Sequence, residues 1–128
     1  MPAKIIIVRH GETDHNVNRI LQGWLNVPLN AAGHLQAQRV AKRLSNEAPF
    51  AIYSSDQIRA IETATYISKH FKLPIIKAPA LREDHLGVFQ GWQWEVEKDE
   101  QREKWWEIRH QKRAAKDLLQ TAHGYESL

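Results

Sequence analysis

The sequence predicts an α/β protein with a mainly parallel sheet flanked by helices. Three observations carry this. The β-branched run Ile5-Ile6-Ile7-Val8 stops at Arg9-His10-Gly11, as a strand buried on both faces of a parallel sheet would. Two stretches with helical spacing of apolar residues follow it. Two further short apolar runs alternate with those stretches, so the order is strand, helix, strand, helix, strand, joined by crossovers.

Residues 4–8 form the first strand. Gly11 admits a backbone conformation closed to other residues, so the chain turns there. Arg9 and His10 are left at the carboxyl end of the strand, where open α/β sheets bind ligands. Residues 11–29 show no sustained period and contain Gly23 and Pro28. They read as a long loop with a short helical turn, and loops beyond about 12–15 residues are usually functional. Asn30 caps a helix over 31–46, with Leu35, Val40, Ala41 and Leu44 on its inner face. Pro49 breaks the connection, and Phe50 to Tyr53 is the second strand. Ser55 or Asp56 caps a helix to about His70, with Ile58, Ile61, Ala64, Thr65 and Ile67 inward. Pro74 separates it from the third strand, Ile75 to Lys77. Residues 80–91 are loop and carry Glu83. Residues 92–119 read as a helical cap, onto which Trp92, Trp94, Trp105 and Trp106 supply packing area. The whole is expected to be one domain, residues 1–128, with that cap at about 92–120.

Composition narrows the function classes. The 128 residues are 42% hydrophobic and 26% charged, which is globular composition. Cysteine is absent, which excludes disulfides and thiolate chemistry. No run approaches the ~20 apolar residues of a membrane helix. Ile5 to Val8 is too short for a secretory h-region of about 7–15 residues. A soluble cytoplasmic protein is expected, with no membrane partner. The net charge is +3, but acidic and basic side chains interleave from Glu95 to Lys116, so no basic stripe marks a nucleic-acid surface. A mild positive bias suits small phosphorylated substrates.

Parallel strands share a direction, so Arg9-His10 and the Ser54–Arg59 segment arrive at one edge of the sheet. Glu83, a few residues past the third strand, can return to it. Two guanidiniums, an imidazole and a carboxylate make a phosphate site with a nucleophile. The arginine forks each pair two phosphate oxygens, and the helix start near Gln57 adds backbone donors. His10 would attack phosphorus and carry the phosphoryl group. Neighbouring guanidiniums would keep its lone pair available. Glu83 would protonate the leaving oxygen and then activate water. Each residue has a plainer reading. His10 alone is a strand-end surface histidine, Arg59 could pair with Glu62 on its own helix, and Glu83 could be a solvated loop carboxylate beside Glu12 and Asp84. His85 beside Asp84 hints at a metal pair but lacks a third ligand, so neither metal nor cofactor is expected. His15, His34, His70, His110 and His123 read as surface residues.

The string Arg9-His10-Gly11-Glu12-Thr13, with Asn16, Arg19, Gln22-Gly23 and Pro28-Leu29, resembles the opening of the histidine phosphatase superfamily, the phosphoglycerate mutase-like family. The likeness continues through Ser54-Ser55, Arg59, Thr63-Ala64 and Leu81-Arg82-Glu83. It implies a three-layer α/β/α sandwich and a phosphatase of phosphate monoesters acting through a phosphohistidine. A mutase is a near relative. A catalytically dead phosphate-binding or scaffold protein is the alternative of a different class. It implies the same roles for Arg9, His10, Arg59 and Glu83, and makes Asn16 a contact to the phosphate. The family pattern also has a second histidine, after an apolar strand and before a glycine. Neither His110 nor His123 fits that description. The expectation is therefore a truncated form with an incomplete C-terminal part. Loss of one preorganised donor would cost on the order of 100–1000-fold in rate, and an open sheet edge would invite self-association.

Overall fold

The computed structural model describes residues 3–87 and 90–93, and residues 103, 107, 110 and 111 further on. Its elements are α1 (Asp14–Val17), α2 (Ala31–Arg43), β1 (Ile52–Ser54), α3 (Ile58–Phe71) and β2 (Ile75–Lys77), with 3₁₀ turns at Leu44–Asn46 and Pro79–Leu81. The chain divides into two units, Met1–Gln93 and Trp94–Leu128. In the second unit Glu103, Glu107, His110 and Gln111 are helical and exposed. The remainder of the expected cap, with Trp94, Trp105 and Trp106, lies outside the described residues.

In the first unit β1 and β2 pair in parallel, with Ile52 opposite Ile75, Tyr53 opposite Ile76 and Ser54 opposite Lys77. The α/β class and the parallel pairing are thus as the sequence predicts. Ala41, Ile52, Ala64 and Ile67 form the buried centre, and Val8, Val40, Leu44, Tyr66, Phe71, Leu73 and Ile75 pack around it. The small Ala37, Ala41 and Ala64 allow α2 and α3 to approach closely along their shared face. Asn30 caps α2 as expected, its Oδ1 accepting from the Gly33 N–H at 2.8 Å.

Four sequence expectations are corrected. Residues 4–8 join no ladder among the described residues, and Ile5 and Ile7 are 81% and 92% exposed. β-branched residues favour a strand, but a strand exists only where a neighbour supplies its hydrogen bonds, and among the described residues β1 pairs with β2 alone. Leu35, placed inward by the helical spacing, is 52% exposed, because Gly33, Ala37 and Ala41 make the buried stripe of α2. Neither Ser55 nor Asp56 caps α3. Gln57 holds the cap position without a side-chain bond, and Asp56 is bound to Arg82 instead.

The fourth concerns Gly11, which has no positive φ. It must be glycine for want of space: a Cβ there would lie 2.5 Å from the Gly33 carbonyl oxygen. Reciprocally, a Cβ on Gly33 would lie 2.1 Å from the Glu12 carbonyl oxygen and 2.9 Å from its nitrogen. The loop after His10 thus rests directly on the first turn of α2. Gly33→Ala is expected to destabilise by about 2–3 kcal/mol from overpacking, despite the ~1 kcal/mol that alanine gains inside a helix. Urea unfolding measures this, and a variant as stable as the parent would refute the contact.

Candidate active site

Side-chain anchors, not a strand ladder, hold residues 9–13 in place. The Gly11 N–H donates to Thr63 Oγ1 at 2.9 Å, and that hydroxyl donates to the Arg59 carbonyl at 2.8 Å. The Glu12 N–H donates to Gln36 Oε1 at 2.9 Å. The Asn30 N–H donates to the Glu12 carbonyl at 3.0 Å, and Thr13 bridges to Leu29. Two helices therefore grip the segment through Thr63 and Gln36. Thr63 was legible only as part of a motif, and nothing in spacing marked Gln36.

His10 is half-buried, and its Nδ1 lies 2.7 Å from the Gly11 carbonyl oxygen. A carbonyl only accepts, so Nδ1 carries the proton and Nε2 keeps its lone pair in the neutral ring. Burial pushes the imidazole below its ordinary value of 6.5, while the Gly11 bond acts against this. The charges of Arg59 and Arg9 push it down further, and the Glu83 carboxylate opposes them. The structure thus brings Arg9, Arg59 and Glu83 to bear on one imidazole. A histidine depressed on folding leaves stability at its full value above 6.5. Stability falls as the pH drops from there towards the folded-state value. NMR titration of the ring is expected to give a midpoint below 6.5, and Arg9→Gln to raise it. An unmoved midpoint in Arg9→Gln would place that guanidinium elsewhere.

Arg59 is 3% exposed, yet it does not pair with Glu62. It donates from Nη1 to the Leu25 carbonyl and from Nη2 to the Gly23 carbonyl, both at 2.7 Å. Burial lowers its pKa, and the Glu83 charge acts against this. Two of its five donors thus bind the long loop after α1. Gly23 has φ +51°, and a Cβ there would meet Gln90 Oε1 at 2.7 Å, so the loop needs glycine to present that carbonyl. Glu62 instead binds His34 Nε2 at 3.1 Å and accepts from the Leu29 N–H at 3.3 Å.

Asn16 stands apart from these four. Its Oδ1 accepts from the Thr13 N–H at 2.9 Å, and Thr13 Oγ1 accepts from the Asn16 N–H at 3.1 Å, a capping box that starts α1. Only its Nδ2 is left to donate outward. The start of α3 also differs from expectation, because the Ile58 N–H is taken by Asn26 Oδ1 at 2.7 Å.

Glu83 is exposed, and its surroundings are what the sequence reading missed. Trp24 Nε1 donates to the Glu83 carbonyl at 2.8 Å. The Arg82 guanidinium lies 4.6 Å from the Trp24 ring centroid and forms a two-pronged ion pair with Asp56. That bond holds the Asp56 carboxyl below the usual carboxylate range and pushes Arg82 up.

The family model of the histidine phosphatase superfamily (branch 1) matches residues 5–124. Phosphoglycerate mutase-like protein 4 of Arabidopsis thaliana is 54% identical over 91 residues, which are 70% of this chain and 40% of that protein. The metal-independent phosphoserine phosphatase of the same plant is 44% identical over 93 residues, covering 71% and 39%. Among solved structures, mycobacterial glucosyl-3-phosphoglycerate phosphatase complexed with VO3 aligns with a TM-score of 0.65 and 39% identity, covering 66% of this chain and 42% of that one. The chain spans about two fifths of the length of the relatives it matches.

Proposed function

The chain belongs to branch 1 of the histidine phosphatase superfamily, and from that premise we propose that it hydrolyses phosphate monoesters of small metabolites through a phosphohistidine. The observation that carries this is the His10 imidazole, with Nδ1 tied to the Gly11 carbonyl and two guanidiniums and one carboxylate acting on it.

The reaction has two displacements. The Nε2 lone pair of His10 attacks phosphorus as the P–O ester bond breaks. Glu83, in its acid form, gives its proton to the departing oxygen. In this reading Arg9 and Arg59 hold the equatorial oxygens, Arg59 from a position fixed beforehand by its two loop carbonyls, and Asn16 Nδ2, which the cap of α1 does not use, is assigned as a further donor. A water then attacks phosphorus, its proton goes to the Glu83 carboxylate, and the P–N electrons return to Nε2. No metal is needed, because the guanidiniums supply the positive charge. The relatives include phosphatases and mutase-like proteins; the phosphatase reading is supported by the two named phosphatases, and a mutase is its near alternative. The reading places the enzyme in the cytoplasm. It also expects self-association, because Ile5, Ile7 and Phe50 are largely exposed.

The test is a rapid-mixing experiment with p-nitrophenyl phosphate and radiolabelled phosphate monoesters. The expected result is a burst of nitrophenol, with acid-labile, base-stable label on His10. A protein that binds phosphate and never becomes labelled would be a binding module, and the enzymatic reading would be wrong.

A further inference from the structure

The loop that carries Glu83 is tied down by groups that take no part in the two displacements. The Trp24 indole N–H donates to the Glu83 carbonyl, and the Trp24 backbone N–H donates to Gln90 Oε1 at 2.7 Å. The Arg82 guanidinium stacks on the indole and pairs with Asp56, one residue before the cap of α3. His85 meets the same ring edge-on, with centroids 4.8 Å apart. One indole thus touches residues 82, 83 and 85 of a loop that has no regular structure over 82–86.

We propose that Trp24 and Arg82 are positioning residues that hold the Glu83 carboxylate against His10, with Trp24 securing the Glu83 backbone and Arg82 locking the loop to the start of α3 through Asp56. The proposal rests on the reading of Glu83 as the proton donor. An exposed loop carboxylate samples many positions, and a displacement of about 1 Å at a reacting group can cost on the order of 100-fold. Bonding the carbonyl of the acid residue itself removes the backbone part of that freedom. The Asp56–Arg82 pair ties the same loop to the segment that leads to Arg59, so the acid and the buried guanidinium share one anchor.

The His10 titration midpoint reports the distance to the Glu83 charge and needs no turnover. It is to be measured by NMR in the parent, Glu83→Gln, Trp24→Phe, Arg82→Lys, and the two latter changes combined with Glu83→Gln. Phenylalanine keeps an aromatic face but loses the N–H donor, and lysine keeps the charge but loses the fork. The expected result is a lower midpoint in Glu83→Gln, a lower midpoint in Trp24→Phe and Arg82→Lys, and no further drop when either is added to Glu83→Gln. Unchanged midpoints in Trp24→Phe and Arg82→Lys would overturn the proposal. So would equal shifts with and without Glu83, a Glu83→Gln midpoint identical to the parent, or failure of both variants to fold. Absence of label on His10 would instead defeat the functional reading and leave this titration result standing.

Discussion

His10→Asn is expected to abolish acid-labile labelling and to lower turnover by at least about 1000-fold, with little change in stability. Asparagine places its Nδ2 donor where the imidazole has Nδ1, so the bond to the Gly11 carbonyl can be kept. It has no group in place of Nε2, and therefore no lone pair to accept phosphorus. When a covalent nucleophile is lost, what remains is the rate supplied by binding and charge stabilisation. The two readouts separate chemistry from folding. An unfolding midpoint near that of the parent, together with complete loss of label, is the predicted pair. Label retained in His10→Asn would place the phosphoryl group on another residue and remove the central assumption of the mechanism.

Arg59→Lys is expected to cost about 2–3 kcal/mol of stability and to weaken inorganic phosphate binding about tenfold or more. The guanidinium binds two carbonyls of one loop at once, from a site only 3% exposed. One ammonium can reach one carbonyl well; if it takes Leu25, the buried Gly23 carbonyl loses its donor, whereas the Leu25 carbonyl also accepts from the Val27 N–H at 3.1 Å. Hydrogen bonds from a charged donor contribute about 1.5–3 kcal/mol each, and an orphaned buried acceptor costs a similar amount. The denaturant midpoint should fall with its slope unchanged. Arg9→Lys is the control, since Arg9 is exposed and surface changes usually stay within about 0.5 kcal/mol. Equal stability in Arg59→Lys and Arg9→Lys would show that the carbonyl bonds are dispensable.

The local signals in the sequence read well where neighbours in the chain decide the outcome. The Asn30 cap, the two long helices and the Ile75–Lys77 strand follow from spacing and capping chemistry within a few residues. Spacing erred where a distant group decides. The 4–8 run has the composition of a strand but joins no ladder among the described residues. The Asp56 carboxylate has the chemistry of a cap, but it lies one residue before the cap position and is bound by a guanidinium from residue 82. Gly11 is required for a reason opposite to the expected one, an approach by Gly33 rather than its own φ.

The candidate site divides in the same way. Arg9, His10, Arg59 and Glu83 were named from the motif around Gly11, and the charges of the other three act on His10, but the parallel strand over residues 4–8 that was expected to bring them together is not seen among the described residues. The proton on Nδ1, the two carbonyls that hold Arg59, the commitment of Asn16 to the cap of α1 and the indole behind Glu83 were not legible. A residue's chemical type is written in the chain, and so is its position in a helix or strand. Which of its atoms are already bound depends on groups dozens of residues away, and only packing brings those within hydrogen-bond reach.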